Sequence, residues 1–483
     1  MKEMKKLLYA TVCLLGMTAL YSCNEKPEPE PGPTPPAITG QTIMVPNEAN
    51  AVVEVSMEME SEWEISNSNT WFTVNPLSGA AGPVNFKITV LENNPELTEK
   101  VAWFVIRRDA DDPGKAYYVV QDVTPGIVLK NTSSSISDSG GEISITFNSN
   151  VDVDVESGVD WISVGSIAED SILLADNSTY SKLKTYTVSV SVSANDGEVR
   201  EGDILINGTV DESNSLSETF TISQMGELVA DYSRDFYRRS FLAKFSATWC
   251  GPCYSASDQI HQAMEQVPGR IELAQYMSSS SGGGLAEWDG GDEYYSYLYQ
   301  NGIIEGYIPA MMWNNYVAWE SSNSLVSYLT SLTNESVEEL PAHTVIGGLV
   351  DCDGSKVNVE IGIASKETAE YKISVFLLED SLLYAGCAGG STYPNNDIIR
   401  EELTSGMWGE PISLSSNTVT EVSYSCDVPS YVEDIDNLHV MVVVYRAGTF
   451  VTTTGLPSCD LGYVVDNVVD IPVNGFAIFD YED

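Results

Sequence analysis

A chain of 483 residues with 43% hydrophobic content is long enough for roughly three or four domains with real cores. Its 23 Lys and Arg stand against 70 Asp and Glu, a net charge of −47, which excludes nucleic acid and anionic lipid surfaces as partners held by charge. A surface this acidic keeps an exported protein soluble and leaves cationic partners open.

The first 22 residues read as a targeting segment. Met1–Lys6 carries three lysines, residues 7–20 are a short apolar core, and Leu20-Tyr21-Ser22-Cys23 resembles the lipobox of bacterial lipoproteins. The apolar run is too short to span a bilayer comfortably. The resemblance implies cleavage before Cys23, lipidation of that cysteine, and a mature protein tethered to the outer membrane, facing the periplasm or the cell surface. Residues 23–37, dominated by Pro and Glu, cannot build a core and form an extended spacer.

Residues 38–124 alternate apolar and polar positions, as in Ala51–Met57 and Val84–Val90, between Gly, Pro and Asn turns, which predicts an all-β module. Trp63-Glu-Ile, Trp71-Phe-Thr-Val-Asn-Pro76 and Tyr117-Tyr-Val-Val-Gln121 resemble the BACON module, a small β-sandwich of exported proteins. A second copy follows over 125–226, carried by Asp160-Trp161-Ile-Ser-Val, the strand Tyr186–Val192 and Phe220-Thr-Ile-Ser-Gln224. The family name implies carbohydrate as a possible ligand. Alternating strands, however, point Trp63, Trp71, Trp103 and Trp161 into their own cores before they offer them to a glycan. The role expected for both modules is that of a spacer.

From 227 to 339 strand and helix patterns alternate, which predicts an α/β layer structure. Phe241–Ala247 is an apolar strand, Gly251-Pro252 supplies a helix start, and Ala256, Ile260, Ala263, Met264 and Val267 form a helical stripe. Cys250 falls at the helix N-terminus, where free backbone amides favour thiolate, and Cys253 lies one turn in. Residues 270–277 read as a second strand, 289–301 as a helix, 306–319 as two strands joined at Asn314-Asn315, and 322–332 as a last helix.

This order, with Trp249-Cys250-Gly251-Pro252-Cys253, resembles the thioredoxin fold and its active-site pentapeptide. The resemblance implies Cys250 as attacking thiolate, Cys253 as resolving thiol, and Trp249, Gly251 and Pro252 beside a bound substrate. It also implies Pro309 as a cis-proline and Ile308 as a backbone contact to that substrate. The chain departs from the family at Lys244, where thioredoxin keeps a buried acid. A lysine there either tunes the cysteines toward thiolate or reaches past the strand to solvent. Zinc needs four ligands, and His261, His343 and His439 are scattered, so neither metal nor cofactor is expected.

Residues 340–483 return to β patterning, with strands expected at 345–350, 357–363, 371–378, 419–426, 439–445 and 464–471. Six strands at this spacing predict a β-sandwich-like domain. Leu377-Leu-Glu-Asp380, Asn396-Asp-Ile-Ile-Arg400, Gly406-Met-Trp-Gly-Glu-Pro411 and Val440–Tyr445 resemble the Omp twenty-eight-related lipoproteins. Cys352, Cys387, Cys426 and Cys459 have an oxidising compartment available and are candidates for two structural disulfides of open connectivity. Asp397 and Arg400 read as a salt bridge or a binding pair.

The sequence thus predicts a multidomain protein: two N-terminal β-sandwich modules, a thioredoxin-like α/β domain and a C-terminal β-sandwich-like domain. The function expected is exchange with disulfides or thiols of exported proteins, with a membrane electron donor or acceptor completing the cycle. The alternative is a surface lipoprotein that binds glycan or protein and uses its third domain as a scaffold.

Overall fold

The computed structural model describes residues 42–109, 111–174, 180–279, 284–321 and 323–482. The targeting segment, Cys23 and the spacer lie outside the described residues. The chain falls into two compact units: one runs up to Gly126 and takes in Ser149–Val151 and Asp170–Lys184, and the other holds the rest.

In the first unit, Thr42–Val45, Lys115–Gln121, Lys100–Arg107, Trp63–Ser66 and Ser78–Gly79 form a five-stranded sheet in that order. Val52–Met59, Gly82–Val90 and Phe72–Asn75 form a three-stranded one. Period-2 alternation lets each strand give one face to a shared core of Trp63, Trp71, Phe72, Phe86, Phe104 and Tyr117. Trp63 and Trp71 are therefore core residues, 3% and 4% exposed, and offer no platform to a sugar. The second module pairs two four-stranded sheets, and there the Arg200 guanidinium covers the Trp161 ring at 4.3 Å. Both modules end on the same device. Gln121 and Gln224 are fully buried, and their amides donate to main-chain carbonyls, Gln121 to Glu92 at 2.7 Å and Gln224 to Ser193 at 2.9 Å.

The C-terminal region corrects the expected fold class. Strands dominate the described chain, which has three α-helices, and no thioredoxin-like α/β domain stands by itself. Nine strands form one sheet. In chain order they are β1 (Ser240–Ser246), β2 (Ile271–Met277), β3 (Ala310–Trp313), β4 (Val317–Glu320), β5 (Ala369–Glu379), β6 (Ile398–Glu402), β7 (Glu410–Leu414), β8 (Leu438–Ala447) and β9 (Tyr463–Pro472). Across the sheet the order is β4-β3-β1-β2-β6-β5-β8-β9, with β7 also on β5. The reason is the free edge of β2. Its backbone needs partners, and Gln275 provides the join: its amide donates to Asp397 O at 2.7 Å and its side chain to Asn396 O at 2.7 Å. The strands expected to form an α/β layer are therefore one end of a sheet that crosses the 339/340 boundary.

All six strands expected after residue 340 form, but they divide between two sheets. Those of β5, β8 and β9 join the long sheet. Thr344–Cys352, Lys356–Ser365 and Thr418–Asp427 join Gly475–Ala477 in a four-stranded sheet that packs on it through Ile346, Val359, Ile361, Val375, Val442 and Ile471. Helices α1 (Gly251–Gln266) and α3 (Leu325–Glu339) cover β1–β4 through Ala256, Ile260, Leu325 and Leu329. Helix α2 (Gly290–Gln300) lies over the opposite core with Tyr294 and Leu298. The β3–β4 turn uses Asn314 and Asn315, both at positive φ (47° and 63°), as the sequence predicts. The far edge of the sheet curls back to this turn, where Val465 N donates to Asn314 O at 3.1 Å.

Phe241 of β1 stacks on Phe376 of β5 across this shared core, their centroids 6.5 Å apart, and both are at most 1% exposed. Phe376→Ala should cost about 3–5 kcal/mol by transfer and cavity formation. In urea, fluorescence of the Trp residues on β3 and β4 and circular dichroism of the β region should report one shared transition that moves together. Two transitions, with only the later one shifted, would show that the halves are separate domains.

Candidate functional site

After β1, Ala247-Thr248-Trp249 carries the chain off the sheet and Cys250 becomes the N-cap of α1 (φ −89°, ψ 96°), with Pro252 in the first turn. Cys250 and Cys253 form a disulfide with Cα atoms 5.4 Å apart. They are 4% and 1% exposed, whereas Trp249 is 45% exposed beside them. Gly251 has open space around its Cα, so the turn between the two cysteines faces solvent. The first turn contains no acidic residue, so no carboxylate opposes a thiolate at the helix N-terminus.

The structure brings the expected partners together. Ile308–Pro309 is a cis peptide, Ile308 packs against Ala247, Cys250 and Cys253, and its carbonyl oxygen lies 3.8 Å from Cys250 Sγ. Glu320, which the sequence reading did not single out, fixes this approach. Its carboxylate accepts from the backbone amides of Glu305 and Gly306, each at 2.7 Å, and from that of Tyr307. Next to the disulfide a cavity of about 360 Å³ is lined by Trp249, Phe245, Tyr276, Tyr295, Tyr307 and Ile308. The lining is mostly aromatic and suits an apolar side chain.

Lys244 does not reach solvent. It is 1% exposed, beneath α1, with its ammonium donating to Ser257 Oγ and to Gln275 Oε1 at 2.7 Å. Burial brings its pKa down to about 7, against the smaller opposing pull of Asp397 and Asp258. Ser257 sits one helical turn after Cys253, so the amine lies below the helix that carries Cys253.

A loop from the β region closes the other side, and no local pattern announced it. Ala388 N donates to Thr248 O at 2.8 Å, Tyr393 OH donates to Asp258 at 3.0 Å, and Cys387 Sγ meets Tyr254 OH. Gly389 is needed there, since a Cβ would stand 2.7 Å from the Tyr254 ring.

The four C-terminal cysteines are free thiols, not two disulfides. Cys352 and Cys426 both pair with Val357, one on each side of the same strand, which puts them two inter-strand spacings, about 10 Å, apart and beyond disulfide reach. Cys387 faces Tyr254, and Cys459 approaches Asn315 O at 3.7 Å. Burial pushes the Cys459 thiol up to about 12 and the Cys426 thiol up to about 11, which makes both poor nucleophiles. Arg400 is buried and pairs with Glu379 and Glu287, each at 3.1 Å, rather than with Asp397.

Residues 348–453 match the family described as Outer membrane protein Omp28, and residues 149–225 match the BACON family, described as a putative binding domain. No curated protein matches the chain. Among solved structures, HBP35 of Porphyromonas gingivalis overlaps 52% of this chain and 80% of its own at 12% identity, with a TM-score of 0.42. A protein of Agrobacterium tumefaciens overlaps 49% and 95% at 13% identity, with a TM-score of 0.34. Scores this low describe partial overlap and assign no function.

Two outcomes follow. A lysine with a folded pKa near 7 and an unfolded value near 10.5 binds fewer protons folded than unfolded between those limits, so stability rises with pH across that window. Urea unfolding of Lys244→Met and the parent should show the variant's relative stability falling, by on the order of a few kcal/mol, as pH rises from about 7 to about 10; a pH-independent difference would contradict the buried amine. Glu320→Ala should speed amide hydrogen exchange at residues 305–307 by about tenfold or more, and unchanged protection would remove Glu320 from its clamping role.

Proposed function

We propose that this protein is a membrane-tethered thiol–disulfide oxidoreductase acting on exported proteins. The observation that carries the reading is the Cys250–Cys253 disulfide on the first turn of α1, beside the Ile308 carbonyl and an apolar cavity. In the oxidised form a substrate thiolate attacks Cys250 Sγ, the Cys250–Cys253 bond breaks, and Cys253 leaves as thiolate. The second substrate thiolate then attacks the substrate sulfur of the mixed disulfide and releases Cys250. The substrate has lost two electrons and two protons, which the cysteine pair now holds. Run backwards from the reduced pair, the same steps reduce a substrate disulfide. Helix-terminal amides stabilise Cys250 as leaving group and as nucleophile alike.

The match of residues 348–453 to an outer membrane protein family supports the location, and lipidation at Cys23 is the tether we propose. A membrane electron donor or acceptor would reset the pair. The match of residues 149–225 to a putative binding domain supports a second reading, a surface protein that binds glycan or protein through its β modules.

Cys253→Ser expressed in the envelope should accumulate mixed disulfides through Cys250 that dithiothreitol releases, while the Cys250→Ser, Cys253→Ser double variant accumulates none. If the single variant traps nothing and the purified protein binds glycans on an array, the second reading replaces the first. Cys23→Ser should move the protein from the membrane to the soluble fraction, and continued membrane retention would refute the lipid tether.

A further inference from the structure

We propose that Asp380, Asp397 and His439 form a binding site for one divalent transition-metal ion of the zinc class, separate from the cysteine pair. These residues come from three parts of the sheet: Asp380 directly follows β5, Asp397 directly precedes β6, and His439 is the second residue of β8. Antiparallel pairing places Leu378 opposite His439 and Glu379 opposite Ile398, which draws the three side chains to one end of the sheet. One ligand atom from each lies within 4.8 Å of the others.

The imidazole is the second, independent observation. His439 is 6% exposed, and its Nδ1 is held by Asp470 at 2.7 and 2.9 Å. Its Nε2 is buried, has no hydrogen-bond partner, and stands 3.4 Å from Asp380 Oδ1. The Asp470 carboxylate on one ring nitrogen aims the other at Asp380, which is how histidine ligands are oriented around metals. Two tetrahedral ligands each about 2.1 Å from zinc are about 3.4 Å apart, so His439 and Asp380 already have the required separation.

Charge argues the same way. Asp380 and Asp470 flank the His439 imidazole at 3.4 and 2.7 Å, and Asp397 completes the cluster. Three carboxylates gathered around one imidazole are relieved by a dication. The backbone contributes as well, since Asp397 N donates to Asp380 Oδ1 at 2.7 Å and holds that carboxylate toward His439. One nitrogen and two oxygens make a three-ligand set that completes its shell with water.

The test uses the full mature chain with the Cys250–Cys253 disulfide intact, titrated with zinc chloride by calorimetry and with cobalt chloride by absorption. One equivalent of zinc should bind with a dissociation constant of about micromolar or below, and cobalt should give d–d bands with no thiolate charge-transfer band, which separates this site from the free cysteines. His439→Gln and Asp397→Asn should each weaken zinc at least tenfold, and Asp470→Asn about 10- to 100-fold. Asp380 is 42% exposed, so Asp380→Asn keeps the fold and gives the same readout if a buried variant fails to fold. No stoichiometric zinc uptake, an unchanged affinity in Asp380→Asn, or a thiolate band with cobalt would overturn the proposal, and His439 would then be an imidazolium paired with Asp380 and Asp470.

Discussion

The free edge of β2 is the constraint on which the rest of this region depends. A strand buried on both faces still leaves one row of main-chain groups unpaired, and here Gln275 gives that row to Asp397 and Asn396. From that join, β6 pairs with β5 and the sheet continues to β9. The consequence is functional as well as architectural. The loop that leads from β5 to β6 is carried over α1, where Ala388 meets Thr248 and Tyr393 meets Asp258. One wall of the cysteine site is thus supplied by the region that matches the Omp28 family.

The same join explains the unusual electrostatics beneath α1. Lys244 shares Gln275 with the main chain that crosses into β6, so the buried amine and the β2–β6 edge are parts of one hydrogen-bonded group. Desolvation overrides the pull of Asp397 and Asp258 and keeps the amine near neutrality. A group of that kind takes or gives a proton near physiological pH, and under the exchange chemistry proposed above it would serve Cys253, one turn before Ser257.

Much of this was legible locally and little of it at long range. The alternation in Val84–Val90 and the apolar run Phe241–Ala247 announce their strands because each needs only its own period and its own faces. Asn314-Asn315 announces its turn for the same reason, since few other residues sit at positive φ. By contrast, Ile398–Glu402 and Glu410–Leu414 are five residues each and carry charges, so they do not read as strands, and without them the C-terminal strands looked like a closed domain. Within the site, the cysteines, Trp249 and the Ile308–Pro309 peptide were visible as a motif. Glu320 and Cys387 were not, because their roles come from contacts with chain far away in sequence. Of the disulfides expected among Cys352, Cys387, Cys426 and Cys459 none forms; strand register keeps Cys352 from Cys426, and Cys387 and Cys459 lie in loops against Tyr254 and Asn315, none of which composition contains.

The account rests on Cys250 being an acidic thiol once the disulfide is reduced. Thiolate absorbance in the ultraviolet, followed against pH for the reduced protein with Cys250→Ser as blank, measures this directly. A midpoint below the free-cysteine value of about 8.5 is the predicted result. A midpoint at or above that value would show that the helix terminus does nothing for the sulfur, and the exchange chemistry assigned to it would have no basis.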